Sequence, residues 1–219
     1  MNRVYLSEKT NAALREYLES SGYSLAYIST DGIVSEPISC HPDIFMCKMG
    51  ISDDAPIIFA KENEVGMSYP EDVAFNAACT GKYFFHKLAV TNQRILTLAQ
   101  SMGMKMIDVR QGYTKCSMVI VDETSIITYD EGIVKACSRY PEISVLKVQP
   151  GHCRLVGFDT GFIGGCSGRV ENKVIFNGNL ERHPDFRRIC DFIRARGLEC
   201  IWFPEYELTD IGSIIPGME

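Results

Sequence analysis

The 219-residue sequence contains no run of Lys or Arg, and its formal charge is −6. A surface without a basic patch excludes nucleic acid as the default partner. No stretch approaches the length of a membrane span, and the opening MNRVYLSEKTNAALREYLESSG lacks the apolar core of an export signal. These absences predict a cytoplasmic protein with no membrane partner. Histidine is scarce at four residues, so imidazole chemistry rests on His41, His86, His152 or His183. Cysteine is abundant, but nine is an odd number, and without an export signal it reads as free thiols rather than a disulfide framework.

A phosphate-binding loop is missing too. Gly157, Gly161, Gly164, Gly165 and Gly168 cluster in one stretch, but a phosphate cradle needs a helix to begin directly after the glycines, and here a strand follows. Dinucleotide and P-loop sites are excluded and no cofactor is predicted. The glycines read instead as backbone that bends sharply or leaves room for a ligand.

What is present is a recurring unit. From Leu155 to Phe203 the chain reads strand, glycine turn, strand, helix, strand. Val174 to Phe176 is an apolar run ended by Asn177-Gly178, and His183-Pro184 opens a helix. Phe186, Ile189, Cys190 and Ile193 share one helix face, and Gly197 stands where a left-handed cap belongs. Helix, stop and strand recur at 7–28 with the stop at Gly22, at 91–109 with the stop at Gly103, and at 130–148. Strand pairs precede three of the helices, and KCSMVIVD with SIITYD is the clearest hairpin. A further pair, SCHPDIFMCKM with APIIFA, has no helix of its own.

The first strands of these units are predicted at 38–46, 72–79, 116–121, 158–165 and 208–216. The last has no helix after it, while the N-terminal helix has no strand pair before it. Joining the two completes a fifth unit. The expected fold is therefore one α/β domain over 1–219: a five-fold pseudo-symmetric propeller of strand-strand-helix-strand units, closed by pairing the C-terminal strand unit with the N-terminal helix.

Several reactive side chains begin these first strands. Cys40, His41 and Asp43 form the densest cluster, suited to a thiol with a base or, with Cys47, to a metal; the spacing matches no zinc module, and a strand-to-turn corner is the favoured reading. Asp72 and Asn76 flank small residues that admit close approach, although Asp72 equally serves as a turn cap after Pro70. Cys79, Cys116 and Cys166 lie on other first strands, with His152 near the last. Trp202 and Phe203 read as core or interface, Glu205 and Glu207 as a solvated turn beside Asp210, and His86 and His183 as structural.

Two short motifs carry a resemblance. Gly157-Phe158-Asp159-Thr160 is similar to the HLDT strand of arginine deiminases, and Asp210-Ile211-Gly212-Ser213-Ile214-Ile215-Pro216 is similar to the terminal GGxxHC strand of the same fold. With five such units, the chain resembles the pentein fold of guanidino-group-modifying enzymes: arginine and agmatine deiminases, dimethylarginine hydrolases and amidinotransferases, with noncatalytic ribosome anti-association factors. It also resembles a clostridial-type group of that fold whose ends read LxDxGSIxP. The family reaction implies a thiolate that attacks the guanidinium carbon, a histidine that moves the proton and two carboxylates that hold the cation. This chain has Pro216 in the implied place of the cysteine and Gly157 in that of the histidine, while Asp159 keeps one carboxylate.

Three readings follow. The first is a noncatalytic or divergent pentein-like protein that binds a small, guanidino-like cation or a partner in a central cavity, with His41, Asp43, Asp72, Asn76, Cys116, Asp210 and Ser213 as ligand-binding residues. The second is a hydrolase or amidinotransferase-like enzyme with a relocated dyad: Cys166 as nucleophile, His152 or His41 as base, and Asp159. The third is a thiol metal-binding protein, although no metal ligand set is predicted. Packing of the cysteines as small buried hydrophobes competes with both thiol readings.

Overall fold

The structure, a computed structural model, describes residues 2–29 and 32–218. Thr30 and Asp31, inside the turn-rich segment 29–37, lie outside the described residues, as do Met1 and Glu219. The chain opens with a strand, β1 (Asn2–Ser7), followed by helix α1 (Ala12–Ser20) and β2 (Ser24–Ile28). A one-turn helix α2 (Pro42–Phe45) then leads into β3 (Met46–Lys48) and β4 (Ile57–Phe59). Next come β5 (Ala78–Cys79), β6 (Tyr83–His86), α3 (Gln93–Ser101) and β7 (Lys105–Asp108). A second one-turn helix, α4 (Thr114–Ser117), precedes β8 (Met118–Ile120), β9 (Ser125–Thr128), α5 (Glu131–Cys137) and β10 (Ser144–Lys147). The last elements are β11 (Ser167–Val170), β12 (Lys173–Phe176), α6 (Phe186–Arg194), β13 (Glu199–Ile201) and β14 (Ile215–Met218).

The four long helices start and stop where local chemistry says they should. Asn11, Asn92 and Asp130 cap α1, α3 and α5 by accepting backbone N–H bonds from the first turn. Gly22, Gly103 and Gly197 take left-handed φ just past their helices, as expected of stop residues. The α6 face is buried at Ile189, Cys190 and Ile193, each aliphatic side chain contributing about 1.5–3 kcal/mol of transfer free energy. The helix begins after Asp185 rather than at His183-Pro184, because Leu180–Arg182 forms a separate 3-10 turn first.

Each long helix crosses between two parallel strands of a small sheet. In four sheets an antiparallel pair is followed, through a helix, by a third strand parallel to the middle one: β14-β1-β2, β5-β6-β7, β8-β9-β10 and β11-β12-β13. The fifth sheet, β3-β4, has no helix or third strand. This is a mixed α/β fold of separate small sheets, and none of them closes on itself.

Several expected strands are corrected. The N-terminal unit does begin with a strand, β1, and the C-terminal β14 pairs with it antiparallel, Val4 opposite Pro216. The expected first strand at 158–165 is irregular, and the strand is β11 just beyond it. At 38–46, 72–79 and 116–121 only the last residues are extended; helical turns precede β3, β5 and β8. The polar residues ahead of β3, β5 and β8 sit in these turns and not on strands. Among the described residues, no helix is long and apolar enough to cross a membrane.

Candidate functional site

The turns ahead of β3, β5, β8, β11 and β14 meet at the centre of the molecule. Backbone and side-chain amides tie them in a circuit: Asp43 N donates to Gly212 O (3.1 Å), Ser213 N to Gly165 O (2.9 Å), Gly165 N to Cys116 O (2.8 Å) and Lys115 N to Asn76 O (3.0 Å). Asn76 Nδ2 completes it by donating to Asp43 O at 3.1 Å. The approach is close enough to require glycine. A Cβ on Gly164 would stand 2.5 Å from the carbonyl of Cys116, and one on Gly165 would stand 2.0 Å from Asp210 Oδ1. The glycine cluster thus serves tight packing of backbone against the centre.

Side chains from these turns form one buried polar network. Lys115 Nζ donates to Ser213 Oγ (2.9 Å), which donates to Asp43 Oδ2 (2.6 Å). The same carboxylate oxygen accepts the Cys116 thiol at 3.0 Å, and Asn76 Nδ2 donates to that sulfur at 3.4 Å. Asn76 Oδ1 accepts the N–H of Lys115 and of Cys116, so the whole amide is satisfied. The other Asp43 oxygen, Oδ1, is buried and finds no hydrogen-bond partner. Asp210 accepts from the backbone N–H of Phe162 (2.8 Å) and Gly212 (3.0 Å), with His41 Nδ1 3.8 Å from its Oδ1.

Burial dominates the protonation of this cluster. It pushes Asp210 up to about 6, against the two backbone N–H groups and Lys115. It raises Asp43 and lowers Lys115. His41 is lowered to about 4, which leaves it neutral at physiological pH. The Cys116 thiol is raised well above its ordinary value, first by burial and then by the Asp43 and Asp210 charges. The resting state holds a neutral thiol and a neutral imidazole beside two carboxyl groups whose ionisation burial opposes.

On one side of this network lies a cavity of about 200 Å³. Its floor is Cys116, His41 and Asp210, and its walls include Tyr113, Phe158, Phe162, Ile38 and Ile44. Phe162 stacks between Tyr113 and Tyr129, with ring centroids 6.1 Å apart on both sides. Tyr113 donates its hydroxyl to Asp72 Oδ2, so Asp72 holds an aromatic wall from behind and does not face the cavity. Its second oxygen is buried without a partner.

His41, Asp43, Asn76, Cys116, Asp210 and Ser213, expected to bind ligand, are therefore brought together, and Asp72 is one residue removed. The proposed dyad of Cys166 and His152 is not assembled. Cys166 Sγ donates to Phe162 O at 3.2 Å and lies beside Cys153. His152 is exposed, packs edge-on against His183 at 5.1 Å and, with Asp159, lines an outer hollow to which Cys166 does not belong. The physical reason is the missing strand at 158–165: the irregular segment carries Asp159 outward and turns Cys166 into the core. Gly157 lies on the same outer loop against Pro37, and Pro216 lies in β14 opposite Val4 of β1. From the C-terminal segment, Asp210, Gly212 and Ser213 reach the centre. Lys115, Tyr113 and Phe162 were not singled out by sequence; a lysine before an apolar run and aromatics beside glycine carry no local signal of function.

A sequence-family model matches residues 51–215. The chain belongs to that family, the family of unknown function DUF6873. Comparison with curated proteins finds no match. Among solved structures, the chain is similar to dimethylarginine dimethylaminohydrolase in its adduct with 4-chloro-2-hydroxymethylpyridine, with a TM-score of 0.52, 9% identity and 92% of each chain covered. At that identity the likeness shows a shared fold, the mixed α/β arrangement of the penteins, and nothing about activity. SxtG, an amidinotransferase from Microseira wollei in the saxitoxin biosynthetic pathway, aligns over 88% of this chain and 54% of its own at 13% identity, with a TM-score of 0.37.

Proposed function

We propose that this DUF6873 protein is a divergent pentein-like domain spanning 1–219 that binds a small organic cation, of the guanidine or amidine class, in the cavity in front of Cys116. In this reading the five sheets are the blades of a pseudo-symmetric propeller related to the clostridial-type group of that fold, and the cavity lies on its axis. The observation that carries the ligand class is the floor of the cavity: Asp210 lines it and Asp43, with an unpartnered buried oxygen, stands directly behind Cys116. Burial opposes the ionisation of both carboxyl groups, and a cation in the cavity offsets that cost. Tyr113, Phe158 and Phe162 give the cavity an aromatic wall against which the apolar part of the cation packs.

A noncatalytic role is favoured over thiol chemistry because Cys116 is held as a neutral thiol, first by burial and then by its carboxyl neighbours. Calorimetric titration with methylguanidine and ethylguanidine, against their uncharged isosteres methylurea and ethylurea, tests the reading. Saturable binding of the cations at least tenfold tighter than the ureas supports it, and equal affinity for charged and uncharged partners sinks it.

One observation favours a second reading. His41, Asp43 and Cys116 each offer a ligand atom within 4.8 Å of the others, a mixed N, O and S set suited to zinc. Cobalt(II) is the probe: thiolate charge-transfer absorption that disappears in Cys116→Ser supports a metal there, and its absence removes that reading.

A further inference from the structure

We propose that the opposite end of the sheet cluster holds a second site, for a short aliphatic carboxylate, between Lys48, Arg169 and Lys115. The leading turns begin at the Cys116 cavity, and the strands that follow them run away from it. Lys48 ends β3, Ile120 ends β8 and Arg169 lies in β11, and all three line a separate small cavity with Lys115, Ile51 and Ile214. The chain is acidic, at −6, yet three cations converge on this end.

None of the three forms an ion pair among the described residues. Lys48 Nζ is buried and has no hydrogen-bond partner. Arg169 spends Nε on Glu171 O and Nη1 on Val121 O, both neutral carbonyls, and keeps further N–H groups free. Lys115 Nζ donates to Ser213 Oγ and lies in the field of Asp43 and Asp210, so the uncompensated charge at this end is that of Lys48 and Arg169. Asp53 and Asp54 are the acidic groups that bear on Lys48, and Asp53, Asp122 and Glu123 those that bear on Arg169; none comes within ion-pair distance of either cation. Burial, opposed by Asp53 and Asp54 and joined by Arg169, lowers Lys48 to about 8. A buried, unpartnered ammonium repelled by a guanidinium is costly by itself, and an anion between them removes that cost.

Size and wall chemistry select the anion. The cavity measures about 50 Å³, roughly the space of four water-sized groups, which matches the heavy atoms of acetate. A carboxylate meets the Arg169 fork at one end and turns its alkyl end to Ile51, Ile120 and Ile214. Phosphate would leave oxygens unpaired against those same apolar walls. The cavity is separate from the one in front of Cys116, although Lys115 stands between them through Ser213 and Asp43, and the isoleucine reporters tell the two sites apart.

The experiment is methyl NMR on isoleucine-labelled protein, with thermal unfolding in parallel, as sodium acetate or propionate replaces sodium chloride at constant ionic strength. Saturable shifts at Ile51, Ile120 and Ile214, with Ile38 and Ile44 unmoved, are expected, together with an unfolding midpoint that rises with carboxylate concentration. Lys48→Met removes the unpaired charge, so it should unfold at a higher temperature without ligand and lose at least tenfold in affinity. Should Lys48→Met not fold, Arg169→Lys, which keeps the charge but not the fork, is expected to weaken binding. Absence of saturable shifts, shifts confined to Ile38 and Ile44, tighter binding of inorganic phosphate, or undiminished affinity in the variants would each overturn the proposal.

Discussion

The thiol of Cys116 donates to Oδ2 of Asp43 at 3.0 Å across 73 residues of sequence. That bond sets the chemistry of the centre. An acceptor carboxylate stabilises the S–H form and its charge opposes the thiolate, so the two residues hold each other in one protonation state.

Replacing Asp43 by Asn therefore lowers the Cys116 pKa. With iodoacetamide and peptide mass readout, Cys116 of the wild type should alkylate slowly at pH 8, and Asp43→Asn several-fold faster. A wild-type Cys116 that already reacts as fast as an unfolded thiol would contradict the arrangement.

His86 is buried, with Nε2 2.8 Å from Gly112 O and Nδ1 2.7 Å from Thr91 Oγ1. Burial lowers it from 6.5 to about 4, so the folded state keeps it neutral where the unfolded chain protonates it. Its contribution is complete above the unfolded value and is lost as pH falls from there to about 4, on the order of 3 kcal/mol in total. The stability gap between wild type and His86→Gln, from urea unfolding, should shrink by about that amount between pH 7.5 and pH 4. A gap that does not change with pH counts against the buried neutral imidazole.

Gly164→Ala drives a methyl into the backbone of Lys115 and Cys116 at 2.5 Å, and rigid backbone cannot yield as a side chain can. A loss of about 3 kcal/mol is expected. Gly103→Ala, at a left-handed position with nothing within 4 Å of the new carbon, should cost only about 1–2 kcal/mol. Equal losses in denaturant titration would mean that the close approach at the centre is not tight.

Cation binding in the Cys116 cavity should depend on ionised Asp210, which burial raises to about 6. Affinity for methylguanidine is expected to be flat above pH 7 and to fall by up to tenfold per unit below pH 6. Calorimetry across that range decides it; affinity unchanged at pH 5 would remove Asp210 from the binding site.

The sequence determined what is local. Helix faces at 3.6-residue spacing, glycine stops at Gly22, Gly103 and Gly197, and the hairpin of β8 and β9 are written in neighbouring residues, because they depend on backbone φ and on side chains three or four positions apart. The polar residues ahead of the first strands were legible as a group for the same reason: they interrupt apolar runs. Tertiary structure alone decided which of them meet. β1 had no nearby cue because its antiparallel partner, β14, is at the other end of the chain. Cys116 rather than Cys166 reached the cavity because a one-turn helix at 114–117 aims its thiol at Asp43, whereas the segment before β11 stays irregular and turns Cys166 into the core. Such choices depend on contacts between units, which no window of adjacent residues contains.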